Sequence, residues 1–148
     1  RRYPQAFEVF TPTCQTNQLN ECSDEQINNA YDNTIVYADY FLSKVIELLK
    51  NNAEDLDTAM FYISDHGESL GENGVYLHGM PYFMAPIEQV HVPAIMWFDK
   101  SFAGQVNMAV LEMAANESFS HDNLFHTLLG LMRVETEVYD QSLDIMAK

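Results

Sequence analysis

A long amphipathic pattern occupies the first third of the chain. Apolar side chains recur every three or four residues, which predicts a helix over 24–50. Just before it, Ser23 and Gln26 have the spacing of a capping box, in which each side chain bonds the other residue's backbone N–H. The pair Asn51-Asn52 is expected to end the helix.

Two short apolar runs follow this helix, 58-TAMFYIS-64 and 92-VPAIMWF-98. Each run is bounded by polar residues and has the length of a strand, so both are predicted to be strands buried on both faces. The intervening stretch, 65–91, is polar and rich in glycine, which predicts a long loop. Long loops in compact domains are usually functional, so this segment is where we expect the chemistry.

The last third of the chain favours helices. The stretch 106–115 is compatible with a helix, and 121–132 is predicted to be one, capped by Ser118 or Ser120. The order of elements along the chain, helix, buried strand, loop, buried strand and helix, predicts an α/β layered fold with a mostly parallel central sheet flanked by helices. In such folds ligands bind beyond the carboxyl ends of the strands.

Composition and charge narrow the classes of function. The chain has 148 residues, enough for one domain with a core. Its formal net charge is −15 with seven Lys and Arg, which argues against nucleic acid and against docking on anionic lipid through a basic patch. An acidic chain that acts on a phosphate needs a local positive charge, and a metal ion would supply it.

The ends and the hydropathy of the chain bear on its organisation. No run of about 18 apolar residues is present, so we expect no transmembrane helix. The chain begins Arg1-Arg2-Tyr3-Pro4, without an initiator Met or a signal peptide. We therefore expect it to be a piece of a longer protein.

The two cysteines lie close together in a polar segment, with seven residues between Cys14 and Cys22. A disulfide can close a loop of this size, which would indicate an oxidising compartment. Two free thiols in a cytosolic protein are the alternative. The spacing does not suit zinc, which usually takes shorter knuckles and more ligands.

Asp65 and His66 stand directly after the first predicted strand. Both residue types are zinc ligands, and Gly67 would let the chain turn so that both face one ion. Such a turn is needed because adjacent residues of a strand point to opposite faces. The alternatives are a helix or turn cap for Asp65 and a hydrogen-bonded core histidine for His66.

The same loop carries further ionisable residues. His78 is either a second functional group or a surface histidine, and Glu68 is either a hydrogen-bond acceptor behind the site or a local cap. Glu72 and Asn73 are predicted to form a turn. The other histidines are expected to be structural: His91, His121 and His126.

The run 64-SDHGESLGENGVYLHGMP-81 resembles the signature of the phosphoethanolamine transferases that modify lipid A, a family that includes the mobile colistin-resistance enzymes. The resemblance extends to 11-TPTC-14 with Cys22, to 29-NAYDNTI-35 and to 121-HDNLFHTLLGL-131. It covers nearly the whole chain, and 101–118 is its weakest part. The wider relatives are sulfatases and alkaline phosphatases.

This resemblance implies a zinc site. Family members hold zinc with a Glu, a nucleophilic Thr and an Asp-His pair, which corresponds to Asp65 and His66 here. The histidine matching His78 lies in the substrate pocket and can contact phosphate or a second zinc. We expect Glu68 to bind substrate together with His78. Cys14 and Cys22 match a disulfide of the family.

The resemblance also implies a reaction and a place for it. Members join an N-terminal membrane domain to an alkaline-phosphatase-like catalytic domain at the periplasmic face of the bacterial inner membrane. Thr takes phosphoethanolamine from phosphatidylethanolamine, releases diacylglycerol, and passes the group to a lipid A phosphate, which confers polymyxin resistance.

One departure from the family pattern limits the prediction. The Thr nucleophile and the Glu ligand have no matching motif here, so we expect residues 1–148 to be the C-terminal portion of the catalytic domain and inactive alone. The alternatives are another phosphotransferase or sulfatase of the same superfamily, and a non-catalytic metal-binding module with a complete ligand set of its own.

Overall fold

The computed structural model describes residues 2–147, and these form two compact units, the first ending at Trp97 and the second beginning at Phe98. Helices and short strands occur together, so the chain is mixed α/β, as predicted. The helices are α1 Asp24–Asn52, α2 Ile87–Val90, α3 Lys100–Ala103, α4 Met108–Ala114 and α5 Asp122–Leu131. The strands are β1 Ala59–Ile63, β2 Ser69–Leu70, β3 Tyr76–Leu77 and β4 Ala94–Phe98.

The long helix α1 has the predicted capping box. The Ser23 hydroxyl accepts from the backbone N–H of Gln26 at 3.3 Å, and the Gln26 side chain accepts from the Ser23 N–H at 2.9 Å. The helix continues through Asn52, two residues beyond the predicted end at 50. Carbonyls of the last turn find partners in the residues that follow, because the Leu49 carbonyl accepts from the Thr58 hydroxyl at 3.3 Å and the Asn52 carbonyl accepts from the Leu56 N–H at 3.0 Å.

A fully buried asparagine on α1 fixes the entry segment. The carboxamide oxygen of Asn33 accepts from the backbone N–H groups of Val9 and Phe10, at 2.8 and 2.9 Å. Its nitrogen donates to the Phe10 carbonyl at 2.9 Å and to the Tyr3 hydroxyl at 3.3 Å. The Asn33 side chain therefore forms the hydrogen bonds to the backbone of this irregular segment that a neighbouring strand would otherwise form.

The predicted disulfide is present. Cys14 and Cys22 are bonded, with their Cα atoms 5.6 Å apart. The alternative of two free thiols is therefore wrong.

The two predicted strands are present as β1 and β4, which are neighbours in one two-stranded sheet. The prediction that both are buried on both faces is wrong. In β1 Met60 alone is buried, and β4 begins with exposed Ala94 and Ile95. The described part of the chain does not supply enough packed elements to cover both faces of a two-stranded sheet.

The predicted loop 65–91 contains more regular structure than expected. It holds the antiparallel pair β2–β3, in which Ser69 faces Leu77 and Leu70 faces Tyr76, and the short helix α2. The turn predicted at Glu72 and Asn73 joins the two strands. Strands of two residues leave too short a pattern for sequence periodicity to reveal.

The second unit is organised around the polar face of α5. Thr127 and Asn123 are buried, and the Thr127 hydroxyl accepts from the backbone N–H of Ile145 at 3.1 Å while Asn123 donates to the Leu143 carbonyl at 2.8 Å. The N-cap of α5 is His121, which makes no side-chain capping bond, and the predicted Ser120 lies one residue earlier, where its hydroxyl accepts from the N–H of Asp122 at 3.2 Å. No helix of residues 2–147 combines the length and the apolar character needed to cross a bilayer.

Candidate metal centre

The segment after β1 is a turn held by its own polar groups. The Ser64 hydroxyl donates to the His66 carbonyl at 2.8 Å, and the Asp65 carboxylate accepts from the His66 backbone N–H at 3.1 Å. These short-range bonds direct the chain away from the strand. Asp65 and His66 therefore lie at the carboxyl end of β1, where the sequence predicted them.

Gly67 contributes through close packing. Its φ angle lies outside the left-handed region, so the turn does not depend on that conformational freedom. Its N–H donates to the Gln89 carbonyl at 2.9 Å, and a Cβ atom at this position would collide with the carbonyl oxygen of Glu88. The prediction that Gly67 is needed for a turn is wrong. A residue without a side chain is required because the backbone of Glu88 and Gln89 approaches it closely.

The His66 ring is oriented for ligation through one nitrogen. Its Nδ1 lies 2.9 Å from the Gly67 carbonyl oxygen, which can only accept, so Nδ1 carries the proton. Nε2 is then the free nitrogen, and it lies 3.9 Å from an Asp65 carboxylate oxygen. Two ligands of one tetrahedral zinc lie about 3.3 Å apart, so small side-chain movements would let both bind one ion.

A second arrangement involves His66, Glu68 and His78. Nδ1 of His78 lies 2.8 Å from Glu68 Oε2, and the rings of His66 and His78 are 3.8 Å apart between centroids. Each of the three residues offers one ligand atom within 4.8 Å of the others. Asp65 lies outside this group, and its side chain is 90% exposed. His66 is thus common to a pair with Asp65 and to a group with Glu68 and His78.

The β2–β3 hairpin brings His78 back to the start of the loop. Its turn contains Asn73 at a φ of 55°, and Gly71 and Gly74 at 126° and 75°. Leu77, directly before His78, also has a positive φ, 65°, which is rare for a branched apolar residue. This backbone is therefore constrained at the point where it presents the His78 ring.

Glu68 faces the long helix as well as His78. Burial and the negative charge of Glu68 raise the pKa of Tyr31, on α1, above its usual value. The donors that the site offers, imidazole nitrogen and carboxylate oxygen, are those that zinc takes in proteins.

Sequence reasoning missed one residue beside the site, Gln89. Gln89 is buried, its side-chain nitrogen donates to the Ser69 hydroxyl at 2.9 Å, and its carbonyl accepts from Gly67. A buried polar residue in a four-residue helix has no periodicity that would mark it. Of the remaining histidines, His126 is partly buried as expected and accepts from the Asp140 N–H at 3.0 Å, and His91 is the exposed C-terminal cap of α2.

Comparison with known proteins places this geometry in a family. Residues 1–134 match the sulfatase family. The chain is 51% identical over 148 residues to the phosphoethanolamine transferase EptA of Salmonella typhimurium, an alignment that covers 98% of this chain and 27% of that protein. It is 43% identical over 137 residues to the phosphatidylethanolamine transferase Mcr-1 of Escherichia coli, with 93% of this chain and 24% of that protein covered.

A solved structure has the same backbone. The soluble domain of lipooligosaccharide phosphoethanolamine transferase A from Neisseria meningitidis superposes with a TM-score of 0.93 at 47% identity. The match covers 99% of this chain and 45% of that one. The chain spans about a quarter of the length of the curated relatives that it matches, 27% and 24%.

Proposed function

The chain belongs to the sulfatase family, and on that premise we propose that it forms the C-terminal, zinc-binding portion of a phosphoethanolamine transferase that acts on lipid A. The observation that carries this proposal is the orientation of His66. Its Nδ1 is bound to a carbonyl, its Nε2 is free, and carboxylates lie close by. The names of the relatives support the reaction class.

We assign Asp65 and His66 as ligands of one Zn²⁺. Zinc bound there would polarise a phosphoryl oxygen and favour the deprotonated form of a nearby hydroxyl. The Gly67 carbonyl fixes the tautomer of His66, and such outer contacts hold a ligand ring in the orientation that binding needs.

We assign His78 and Glu68 to the substrate. Glu68 accepts from Nδ1 of His78 at 2.8 Å, which holds the ring and leaves Nε2 for the ligand. In the imidazolium form of His78, which carries a proton on both nitrogens, Nε2 can donate a hydrogen bond to a phosphoryl oxygen, or a proton to the oxygen that leaves.

The complete reaction requires groups from outside the motifs recognised in this chain. A threonine oxygen attacks the phosphorus of phosphatidylethanolamine, the bond to the diacylglycerol oxygen breaks, and that oxygen takes a proton. A lipid A phosphate oxygen then attacks the same phosphorus and the threonine oxygen leaves. We place this chemistry at the periplasmic face of the inner membrane, and we propose that β1 and β4 belong to a mostly parallel central sheet of the intact catalytic domain.

The test uses the intact parent enzyme. His66→Ala should abolish transfer to lipid A and lower the bound zinc, because it removes the oriented nitrogen. His121→Ala is the control, since His121 is an exposed histidine at the start of α5, in the other unit. Normal polymyxin resistance in cells that express the His66→Ala enzyme at the normal level would refute the assignment.

A further inference from the structure

An uncharged and strongly exposed segment directly follows the candidate site. Residues 79–87 contain no Asp, Glu, Lys or Arg. Within them Tyr82 is 83% exposed, Phe83 86%, Met84 58% and Ile87 63%. We refer to these four residues as the apolar tip. Large apolar side chains this exposed and this close together usually mark an interaction surface.

The apolar tip is held in a defined conformation. The Pro81 carbonyl accepts from the N–H groups of both Met84 and Ala85, at 2.8 and 2.9 Å. Pro81 and Pro86 restrict φ on either side, and α2 begins immediately afterwards at Ile87. The side chains are therefore presented by an ordered turn, which reduces the conformational entropy that binding would cost.

The base of this turn is tied to the site. The Gln89 side chain accepts from the N–H of Met80 at 3.4 Å and donates to the Ser69 hydroxyl at 2.9 Å. The Gln89 carbonyl also accepts from Gly67, the neighbour of His66, at 2.9 Å. The apolar tip and the metal-binding residues thus share one hydrogen-bonded frame, and His78 lies only a few residues before Tyr82 along the chain.

We propose that the apolar tip inserts into the interfacial layer of a lipid bilayer and brings the site to the lipid headgroups. The inference rests on the proposed function, because a site that takes the headgroup of phosphatidylethanolamine must reach the bilayer surface. Tyrosine and phenylalanine combine apolar area with a preference for the membrane interface, and methionine and isoleucine add further apolar area that insertion would bury.

Charge favours a zwitterionic surface as the occupant. The chain carries a net charge of −15, so anionic lipid repels it as a whole. The apolar tip adds no charge to that repulsion and needs no counter-charge from its partner. The contact is therefore expected to strengthen with apolar burial, to depend little on salt, and to gain nothing from anionic lipid.

Vesicle sedimentation of the 148-residue chain tests the proposal. The vesicles contain phosphatidylcholine and phosphatidylethanolamine, and the variant is Tyr82→Ser combined with Phe83→Ser. We expect the partition coefficient to fall at least about tenfold, because two large side chains lose their burial. The matched control is Phe41→Ser with Leu48→Ser, two α1 side chains that are 58% and 62% exposed, and we expect it to change partition less than about twofold.

The outcomes distinguish a lipid bilayer from other binding partners of the apolar tip. A wild-type chain that does not sediment with these vesicles, or an equal loss in both double variants, overturns the proposal. So does a concentration-dependent dimer that the Tyr82→Ser, Phe83→Ser chain alone loses, which would make a second copy the occupant. Failure of the zinc assignment is distinguishable from failure of this proposal. If the apolar tip acts as proposed, the His66→Ala chain binds the vesicles as the wild-type chain does, whether or not it still binds zinc.

Discussion

Replacing Gly67 by alanine tests whether close packing positions the site. The Cβ atom of alanine would collide with the Glu88 carbonyl oxygen and lie 3.0 Å from the Glu88 carbonyl carbon. It would also lie 3.3 Å from the Gln89 carbonyl carbon. These neighbours are backbone atoms, which cannot rotate aside as a flexible side chain could.

The cost follows from the contacts that must change. Overpacking that displaces backbone costs about 1–3 kcal/mol, and the hydrogen bond from Gly67 to Gln89 contributes about 1 kcal/mol. Alanine lowers the conformational entropy of the unfolded chain relative to glycine, which offsets about 0.5 kcal/mol of this loss. We expect a net loss of about 2–3 kcal/mol in the free energy of unfolding. Because His66 is the adjacent residue, we also expect zinc affinity to fall by about tenfold or more.

Urea denaturation and zinc titration calorimetry measure the two effects. Gly104→Ala is the control, because its Cβ atom would lie 3.4 Å from the Ser101 carbonyl oxygen, an ordinary contact, at a φ of −67°. It should change the unfolding free energy by less than about 0.5 kcal/mol. A Gly67→Ala chain with wild-type stability and wild-type zinc affinity would refute the packing argument.

Three further predictions concern the frame around the site. Asn33→Ala should lower the unfolding free energy by about 2–3 kcal/mol in urea, since it removes the side-chain partner of three part-buried backbone groups of Val9 and Phe10; an effect below about 1 kcal/mol would contradict this. Replacing Cys14 and Cys22 by serine should cost about 2.5 kcal/mol by the same assay, and an unchanged midpoint would contradict the entropic estimate. Burial and Glu68 raise the pKa of Tyr31, so the unfolded chain loses this proton first and stability falls as pH rises above about 10. Tyr31→Phe should flatten that decline in unfolding experiments, and an unchanged slope would exclude this cause.

Local signals in the sequence predicted the elements that depend on local interactions. The start of α1 follows from Ser23 and Gln26, which bond each other's backbone within a single turn. Its end was misplaced because the terminal carbonyls of Leu49 and Asn52 find partners in Thr58 and Leu56, contacts that propensity does not reveal. The burial of β4 was mispredicted because apolar sequence reports a capacity for burial, whereas actual burial depends on what packs against it.

The candidate site was predictable only in part. Asp65, His66, Glu68 and His78 stand out because ionisable residues crowd into one glycine-rich segment. Their pairing depends on the β2–β3 hairpin, whose strands are too short to show a period. The role of Gln89 was invisible, because it comes from contacts with Gly67 and Ser69, which lie about twenty residues earlier in the chain.

Zinc stoichiometry and affinity of the purified chain, measured beside His66→Ala and His78→Ala, test the central claim most directly. We expect weak binding that disappears with His66→Ala, because Asp65 and His66 form part of a ligand set completed elsewhere in the intact domain. Binding that survives His66→Ala would contradict the assignment of His66. Tight one-to-one binding by the chain alone would instead favour a metal-binding module built on His66, Glu68 and His78.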